Sequence, residues 1–410
     1  MGGGGVAQAV VEEARQGAWA QVLKSPLFRG ATLALFLSGI GTSAAAPQIV
    51  SFLVKDLGTS LPVAGLYYLT SLAAPLAGYV IGQYSDRSGI RLGLFRLCAV
   101  MGFVGWAAMA LSAAVWQPFV IGALLLAFST AATPQIFAAV HDELKHHPGH
   151  ANESVVGIIR MALTAGWIVG PVLGAWLGTA YGLRAMLWAT ALCWLAQILP
   201  LGTLRSAPGG KEGAGGKAAG HVGLREMLPL LAFTGLFVMV YVGEPIKYGF
   251  LLLYMEDKLH TGPAMRGAVI GIQPFIELLI MPFSVMLGRR LGNFWLMCIA
   301  AACGVAANLC FAMWPSLASM FVGQILMGGV WGLFMVLGLI VAQRLLPRAV
   351  ATASAIFMSA MPLGSAIGGV VGGLGVAALG LPSVFFLPAI FGVLAMAGLA
   401  AMAMGGKGGN

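Results

Sequence analysis

Charged side chains are scarce in this sequence. They account for 9% of the 410 residues, whereas 59% of the residues are apolar, and the whole chain has 13 acidic residues. A soluble protein of this length needs a far larger charged fraction to cover its surface. The composition therefore excludes an ordinary soluble protein and indicates a chain that lies mostly within a lipid bilayer.

Residues typical of enzyme and cofactor sites are also few. The five cysteines fall inside apolar segments without paired spacing, which indicates small buried residues rather than a disulfide or metal framework. The sequence contains no Walker glycine loop and no motif of a serine or zinc hydrolase. We therefore expect neither an enzyme nor a protein that depends on a cofactor.

A group of histidines lies after the fourth apolar segment and comprises His141, His146, His147 and His150. Zinc binding would require several of these side chains to converge on one ion. Because polar residues separate them and no cysteine is near, a solvated loop is the favoured interpretation. We predict no metal site here.

Long apolar runs make up most of the chain. A membrane-spanning helix needs roughly 20 apolar residues, and clusters of charge, proline or glycine divide the sequence into twelve such segments. The predicted segments are 27–53, 61–84, 92–113, 116–140, 154–179, 183–204, 227–255, 263–287, 294–313, 316–342, 349–377 and 381–403. The predicted fold is an all-α membrane protein with 12 transmembrane helices.

A glycine-rich stretch near the middle separates six segments from six more, and the glycine spacing of the fifth segment recurs in the eleventh. Such a stretch is typical of a flexible linker. The predicted division is an N-terminal segment at 1–26, bundles at 27–205 and 227–404, a linker at 206–226 and a tail at 405–410. Two similar bundles are typical of transporters that bind a substrate between them.

The net charge of +9 follows the predicted topology. If the N-terminus is cytoplasmic, sixteen of the 22 lysines and arginines lie on the cytoplasmic side and four lie in the opposite loops. Membrane proteins show this bias because positive loops stay in the cytoplasm. We therefore predict cytoplasmic N- and C-termini, and we attribute the charge to topology rather than to nucleic-acid binding.

A charged loop joins the second and third segments. Its characteristic residues are Gly82, Asp86, Arg87, Gly89 and Arg91. The spacing resembles the loop between the second and third helices of the major facilitator superfamily, and the resemblance implies that superfamily's two six-helix bundles. The Asp86 carboxylate could bind the positive N-terminus of an opposite-half helix that begins near Ala349 and so close the cytoplasmic side. A plain solvated loop is the alternative.

Small residues mark the fifth segment, where Gly166, Gly170 and Gly174 share one helix face beside Pro171. This pattern is similar to the antiporter motif in the fifth helix of proton-driven exporters. Glycines at this spacing also allow two helices to approach closely, whatever their function. The motif therefore leaves coupling and simple packing as alternatives.

Four ionisable residues fall inside apolar segments: Arg160, Glu244, Lys247 and Glu277. Such residues are costly in a membrane and are candidates for function. Glu277 is the leading proton carrier, because burial favours the neutral carboxyl, and a charged partner for a cation is the alternative. Glu244 and Lys247 are three residues apart and can pair within one helix, although either could face a substrate. Arg160 could extend to the cytoplasmic surface or bind hydroxyls or a carboxylate.

Uncharged polar and aromatic residues could line the same cavity. The candidates are Gln48, Gln135, Trp167, Tyr241, Gln273 and Gln324. Amides can donate to and accept from hydroxyl groups, and aromatic faces can cover the apolar faces of a sugar. Together with Arg160 and Lys247, these residues form the predicted substrate site, with Glu244 and Glu277 for proton coupling.

Several stretches resemble the bacterial sugar efflux transporter family, namely 133–138, 160–171, 271–277, and Gln343 with Pro347. The resemblance implies a proton-linked exporter of sugars or glycosides in the bacterial inner membrane, and it carries over Gln135, Arg160 and Glu277 as site residues. The charges of Glu244 and Lys247 depart from the family, which leaves the substrate open.

The sequence thus predicts a monomeric membrane transporter that exports a sugar or a related small polar molecule in exchange for protons, by alternating access. A multidrug exporter of the same fold is the nearest alternative, because methionine and phenylalanine are abundant. A membrane sensor that binds a ligand without moving it is a further alternative.

Overall fold

A computed structural model of the protein describes residues 19–146, 152–204 and 223–405, and no strand occurs in these ranges. Twelve of the helices are long and apolar enough to cross a membrane. They are α1 (Pro26–Lys55), α2 (Leu61–Ser88), α3 (Arg91–Ala110), α4 (Trp116–Lys145), α5 (Ser154–Ala180), α6 (Leu183–Leu201), α7 (Leu224–Asp257), α8 (Pro263–Leu291), α9 (Asn293–Met313), α10 (Leu317–Leu345), α11 (Thr352–Leu379) and α12 (Ser383–Met404). The predicted fold class is confirmed.

Capping and glycine residues set several helix ends. Ser25 precedes α1, and its side chain accepts a hydrogen bond from the backbone N–H of Phe28 at 3.4 Å, with Pro26 in the first turn. Gly89 ends α2 at a φ of +67°, a left-handed conformation that favours glycine. These local signals explain why the helices begin and end within a few residues of the predicted segments.

Some helices contain irregular turns inside their spans. A 3₁₀ turn occurs at Ala46–Gln48 in α1, another at Tyr67–Leu72 in α2, and a π turn at Gly122–Leu126 in α4. Prolines lie inside α5 and α8. Packing against neighbouring helices allows such interruptions in a membrane protein.

The helices alternate in direction, so their ends form two sides. We call the side where α1 begins the terminal side and the opposite one the distal side. On the distal side, Arg184 at the start of α6 pairs with Asp56 after α1 at 3.5 Å. On the terminal side, Arg91 at the start of α3 pairs with Asp142 near the end of α4 at 3.1 Å.

Helices α1–α6 form the first half of the molecule and α7–α12 the second. The predicted linker at 206–226 lies outside the described residues except for its last four positions, of which 224–226 begin α7. The seventh helix therefore starts three residues before the predicted bundle boundary. Of the predicted terminal segments, 1–18 and 406–410 also lie outside the described residues, whereas 19–24 form a short helix before α1.

Candidate functional site

A cavity of about 280 Å³ lies between the two halves. Its polar and aromatic lining consists of Arg160, Thr164, Trp167, Tyr241, Glu244, Tyr248, Gln273, Glu277 and Trp331. Its apolar lining consists of Leu163, Pro274, Met281, Met335 and Met361. The first half contributes only residues of α5, whereas the second half contributes residues of α7, α8, α10 and α11. The volume is near the lower end of the roughly 300–1,000 Å³ typical of small-molecule sites.

A buried hydrogen-bonded cluster forms one wall of this cavity. Lys247 is fully buried, and its ammonium donates to Oε1 of Glu244 at 2.7 Å and to Oε1 of Gln273. Trp331 of α10 donates from Nε1 to the same Glu244 oxygen at 2.6 Å. Lys247 also lies over the ring of Tyr248, 4.5 Å from its centroid. The cluster thus joins α7, α8 and α10 through buried hydrogen bonds.

Glu277 and Arg160 face the cavity differently. Glu277 is half-buried on α8, and Arg160 is exposed on α5, in the opposite half. Neither side chain makes a hydrogen bond or ion pair with another part of the described chain. The charges of Glu244, Arg160 and Lys247 are nevertheless close enough to act on Glu277. The cavity therefore presents a carboxyl and a guanidinium whose hydrogen-bonding groups are available to a ligand.

Aromatic rings surround these polar groups. Trp167 of the first half packs against Tyr248 of the second, with centroids 6.5 Å apart. Tyr241 packs against Trp331 at 5.3 Å in an edge-to-face arrangement. The rings give the cavity flat apolar faces next to charged and amide groups, which suits a small ligand with both polar and apolar sides.

A second cavity of about 370 Å³ adjoins the first on the terminal side. It lies between α5 and α8 and shares Arg160, Thr164 and Met281 with the central cavity. Its other lining residues are mainly apolar and include Ile158, Met161, Leu278, Pro282 and Trp19. The polar central site therefore continues into a more apolar cleft.

Six of the predicted site residues meet at the central cavity: Arg160, Trp167, Tyr241, Glu244, Gln273 and Glu277. Lys247 lies behind the wall instead, because it is fully buried and bound to Glu244 and Gln273. A substrate in this conformation would reach Glu244 but not Lys247.

Three predicted glutamines lie elsewhere. Gln135 accepts a hydrogen bond from the Ser85 hydroxyl near the charged α2–α3 loop. Gln48 is buried in the 3₁₀ turn of α1, and Gln324 is fully buried in α10, where both of its amide atoms have no partner within the described residues. Their helices turn these side chains toward neighbouring helices, so the structure does not bring them to the cavity.

Sequence reasoning missed Trp331, Tyr248 and Thr164 as lining residues. Trp331 is the most informative of these, because it donates a hydrogen bond to Glu244. Its position between Gly328, Gly329 and Gly332 was the available signal, since small neighbours let a bulky side chain fill the space between helices.

The glycine motif of α5 packs inside the first half. A Cβ atom on Gly166 would lie 2.5 Å from the carbonyl oxygen of Phe36 in α1, so only glycine allows this approach. Gly170 and Gly174 of α5 face Ser43 and Ala44 of α1. On another face of this stretch, the Pro171 carbonyl and Val172 lie against Gly267 of α8. The motif therefore joins α1 to α5 beside a contact between the halves.

The charged α2–α3 loop makes its contacts within the first half. Arg91 donates from Nη1 to Asp86 at 2.6 Å and to the Ser85 hydroxyl at 2.8 Å, and from Nε to Asp142 at 3.1 Å. The Asp86 side chain is 62% exposed. It therefore contacts Arg91 in this conformation, not the helix end near Ala349. Of the four histidines, His147, His150 and the side chain of His146 lie outside the described residues.

On the distal side, polar contacts cross between the halves. Glu256 at the end of α7 pairs with Lys55 of α1 at 2.6 Å and also with Arg266 of α8. Arg266 in turn donates from Nη2 to the Thr179 hydroxyl of α5 at 3.2 Å. Both Lys55 and Thr179 belong to the first half, so these contacts fasten the halves together.

Helix packing closes the same side. In the distal parts of α2 and α11, a Cβ atom on Gly369 would lie 2.5 Å from the carbonyl oxygen of Gly65. Nearer the terminal side, Leu76, Tyr79 and Tyr84 of α2 are exposed, and a Cβ atom on Gly78 would meet nothing within 4 Å. The molecule is therefore closed on the distal side, and the terminal parts of α2 and α11 are apart.

Comparison with known proteins adds to this geometry. The Major Facilitator Superfamily model matches residues 31–246 and 229–407. A predicted sugar efflux transporter of Deinococcus radiodurans is 26% identical over 89% of this chain and 95% of its own length, and sugar efflux transporter C of Escherichia coli is 24% identical over 87% and 90%. The multidrug resistance protein MdtG of Proteus mirabilis is 24% identical over 63% of this chain and 65% of its own length.

A solved structure shows the same fold. The crystal structure of the nucleoside transporter NupG superposes with a TM-score of 0.76, at 18% identity, over 93% of this chain and 99% of that one. Identity this low supports the fold rather than the substrate. The family match, the twelve spanning helices and the cavity between two halves identify a multi-pass bacterial membrane transporter rather than an enzyme, and the chain belongs to the Major Facilitator Superfamily.

Proposed function

We propose that this protein exports a sugar, a glycoside or a related small polar molecule in exchange for protons, by alternating access. The observation that carries the proposal is the pair formed by Arg160 and Glu277, which line one cavity from opposite halves and have no protein partner among the described residues. Sugar efflux transporters among the relatives support the substrate class.

The lining suits a hydroxyl-rich ligand. The Glu277 carboxylate can accept hydrogen bonds from hydroxyls, the Arg160 guanidinium can donate to them, and Trp167 and Tyr241 can cover apolar faces of a sugar ring. The apolar cleft between α5 and α8 can hold the non-sugar group of a glycoside. A small central cavity with an apolar extension therefore suits a glycoside as well as a sugar.

Exchange with protons follows if sugar and proton compete for Glu277. The ionised carboxylate accepts from two or more hydroxyls, whereas a protonated carboxyl loses part of this capacity and so binds the sugar more weakly. Protonation on the outer side would release the sugar, and loss of the proton on the inner side would restore the sugar site. The two ligands thus occupy one site in turn.

The charge distribution supports an orientation with the terminal side in the cytoplasm, because positive residues concentrate in the terminal-side loops. In that orientation, the structure corresponds to a state open to the cytoplasm and closed to the outside, in the bacterial inner membrane. The opposite state requires the distal contacts of Glu256 to break and the terminal halves of α2 and α11 to meet. There, Asp86 could reach the helix that begins near Ala349 and hold the cytoplasmic side closed. We expect a single chain to complete this cycle as a monomer.

Transport by purified protein in liposomes tests the proposal. Counterflow of labelled sugars and alkyl or aryl glycosides, measured with and without a proton gradient, should show saturable uptake that the gradient drives. Glu277→Gln should reduce the gradient-driven uptake at least 10-fold, since an amide cannot carry the proton. Asp257→Asn, which removes an exposed acid outside the cavity, is the matched control. Saturable binding without flux would instead favour a sensor.

Multidrug export is the second candidate. Met281, Met335 and Met361 give the cavity flexible apolar surface, and the relatives include multidrug resistance proteins. The same liposomes should be tested with cationic dyes. Gradient-driven dye flux without sugar flux would replace the sugar proposal with this one.

A further inference from the structure

Lys247 and Glu244 form an ion pair with each other at the wall of the cavity. The other charged residues at the cavity, Arg160 and Glu277, have no such partner among the described residues. The Lys247 side chain has no exposed surface, and its ammonium lies 2.7 Å from Glu244 Oε1. Gln273 accepts a second hydrogen bond from the ammonium, and the ring of Tyr248 covers it. No face of Lys247 is available to a substrate.

Glu244 is held from two helices. Its Oε1 accepts from Lys247 on α7 and from the Trp331 indole on α10, at 2.7 and 2.6 Å. An opposite charge and two donors at one oxygen fix the orientation of the Glu244 side chain. Removing the cation alone would leave a buried charge without a partner, which is strongly unfavourable.

Glu277 has none of these partners, although it lines the same cavity. The charged or titratable groups around the two carboxyls are Arg160 on α5, Lys247, Tyr241 and Tyr248 on α7, and Tyr68 on α2. Two neighbouring carboxyls in a poorly solvated site would otherwise titrate as a coupled pair and exchange more than one proton. Only Glu244 has a cation in direct contact.

We propose that Lys247 is a resident counter-ion that keeps Glu244 ionised throughout the cycle and leaves Glu277 as the single proton site, so that one proton is exchanged for each substrate. The inference rests on the proposed function and specifies its coupling. In each cycle, one proton binds the Glu277 carboxylate from the outer side and leaves it to the inner side. Glu244 and Lys247 neither gain nor lose a proton, and Trp331 and Gln273 act as positioning residues for the pair.

Three variants separate the two carboxyls: Glu277→Gln, Lys247→Met, and the double variant Glu244→Gln with Lys247→Met. The double variant removes both charges together and so avoids an unpaired buried ion. Infrared difference spectra of the purified protein, titrated from alkaline to acidic pH, report the protonated carboxyl band without any substrate. The proton-to-sugar ratio in liposomes, from parallel pH and tracer measurements, reports coupling.

We expect a carboxyl band that the wild type and the double variant share and that Glu277→Gln lacks. Lys247→Met should gain a further band, from an uncompensated Glu244, that disappears in the double variant. The ratio should be one proton per sugar in the wild type and in the double variant, even where the rate of the latter falls. If Lys247→Met does not fold, the wild type, Glu277→Gln and the double variant still decide.

Loss of the shared band in the double variant, with its retention in Glu277→Gln, would overturn the proposal, because Glu244 would then carry the proton. A wild-type ratio of two that falls to one in the double variant would overturn it equally. Failure of the proposed function would have a different signature: the expected infrared bands without any sugar-dependent proton flux.

Discussion

The two sides of the molecule are built differently. On the distal side, Glu256 pairs with Lys55 across the halves, and Gly65 and Gly369 bring α2 and α11 into close contact. On the terminal side, the ion pairs of Arg91 stay within the first half, and Leu76, Tyr79 and Tyr84 of α2 are exposed. The same two helices therefore meet at one end and separate at the other, which is the geometry expected of halves that rock about a central site.

This difference is what the proposed alternating access requires, since one binding site must then serve both sides. The cavity lies between the tight distal contacts and the separated terminal helices, and its lining comes from both halves. In the proposed cycle, a change of side exchanges distal contacts for terminal ones of similar free energy, because a large difference would trap one state. Variants that weaken the distal contacts and variants that weaken the terminal contacts should therefore shift this balance in opposite directions.

The largest effect is expected at the distal helix crossing. Gly369→Ala would place a Cβ atom 2.5 Å from the Gly65 carbonyl oxygen and 2.6 Å from Tyr68 Cβ, so α2 and α11 must move apart. Overpacking of this kind costs roughly 1–3 kcal/mol, and transport should fall several-fold. Thermal unfolding of the detergent-solubilised protein and liposome transport measure the two effects.

Gly78→Ala is the matched control, on the terminal part of α2. A Cβ atom there meets nothing within 4 Å, so stability should stay unchanged or rise by up to about 1 kcal/mol from helix propensity. Equal destabilisation by the two substitutions would mean that the distal crossing is not specially tight.

A smaller effect is expected from Glu256→Gln, which weakens two distal ion pairs at once. Glu256 and Lys55 are partly exposed, and pairs of this kind contribute roughly 0.2–1 kcal/mol each. Only the pair with Lys55 joins the two halves, because Arg266 lies in the second half together with Glu256. The distal-open population should therefore rise roughly 1.5- to 5-fold. Spin labels at Ser60 and His260, in opposite halves, can report it as a longer distance population.

Asp56→Asn is the control for this variant, because Asp56 pairs with Arg184 inside the first half. It should leave the distance distribution unchanged. An equal shift in both variants would show that general loss of charge on the distal side, rather than the fastening of the halves, controls opening.

The effect of Asp86→Asn should be smaller still in the present state, since Asp86 is exposed and pairs only within its own half. If Asp86 binds a helix N-terminus when the terminal side closes, its loss should reduce the closed population about 2- to 5-fold, from a contribution of roughly 0.3–1 kcal/mol. Labels at Gln83 and Val350 measure this population. Glu226→Gln, an exposed acid on the same side, is the control, and an unaltered distribution in Asp86→Asn would refute the latch.

Most of the fold was predictable from the sequence, because twelve apolar runs of sufficient length leave few alternatives in a bilayer. The predicted segment 154–179 corresponds to Ser154–Ala180, and 183–204 to Leu183–Leu201. The charged residues pointed to the cavity for a similar reason. Burying Arg160, Glu244 or Glu277 against lipid is too costly, so they must face a cavity or each other.

The uncharged polar residues were harder to place. A glutamine in an apolar helix can face a cavity or a neighbouring helix at similar cost, and the sequence gives no direction for Gln135 or Gln324. Gln135 binds Ser85, a contact between residues 50 positions apart. The conformational state was also beyond the sequence, because the two states of the proposed cycle use the same helices and differ only in which ends meet.

The smallest effect is expected from the pH dependence of Asp56, on the distal side. Burial raises the pKa of Asp56 above its ordinary value, and Arg184 opposes this with a smaller effect. A carboxyl whose pKa is higher in the folded state stabilises the fold below its unfolded pKa of about 3.9 and loses that contribution as the pH rises through the folded pKa. Asp56→Asn should therefore equal or slightly exceed the wild type in stability at pH 7, by less than about 0.5 kcal/mol, and lose this advantage near pH 4. Thermal unfolding at both pH values measures the difference. If the wild type instead gains stability over the variant as the pH rises, the ion pair with Arg184 outweighs the cost of burying Asp56. An ion pair within one half would then stabilise the distal side, as we expect of the pair between Glu256 and Lys55.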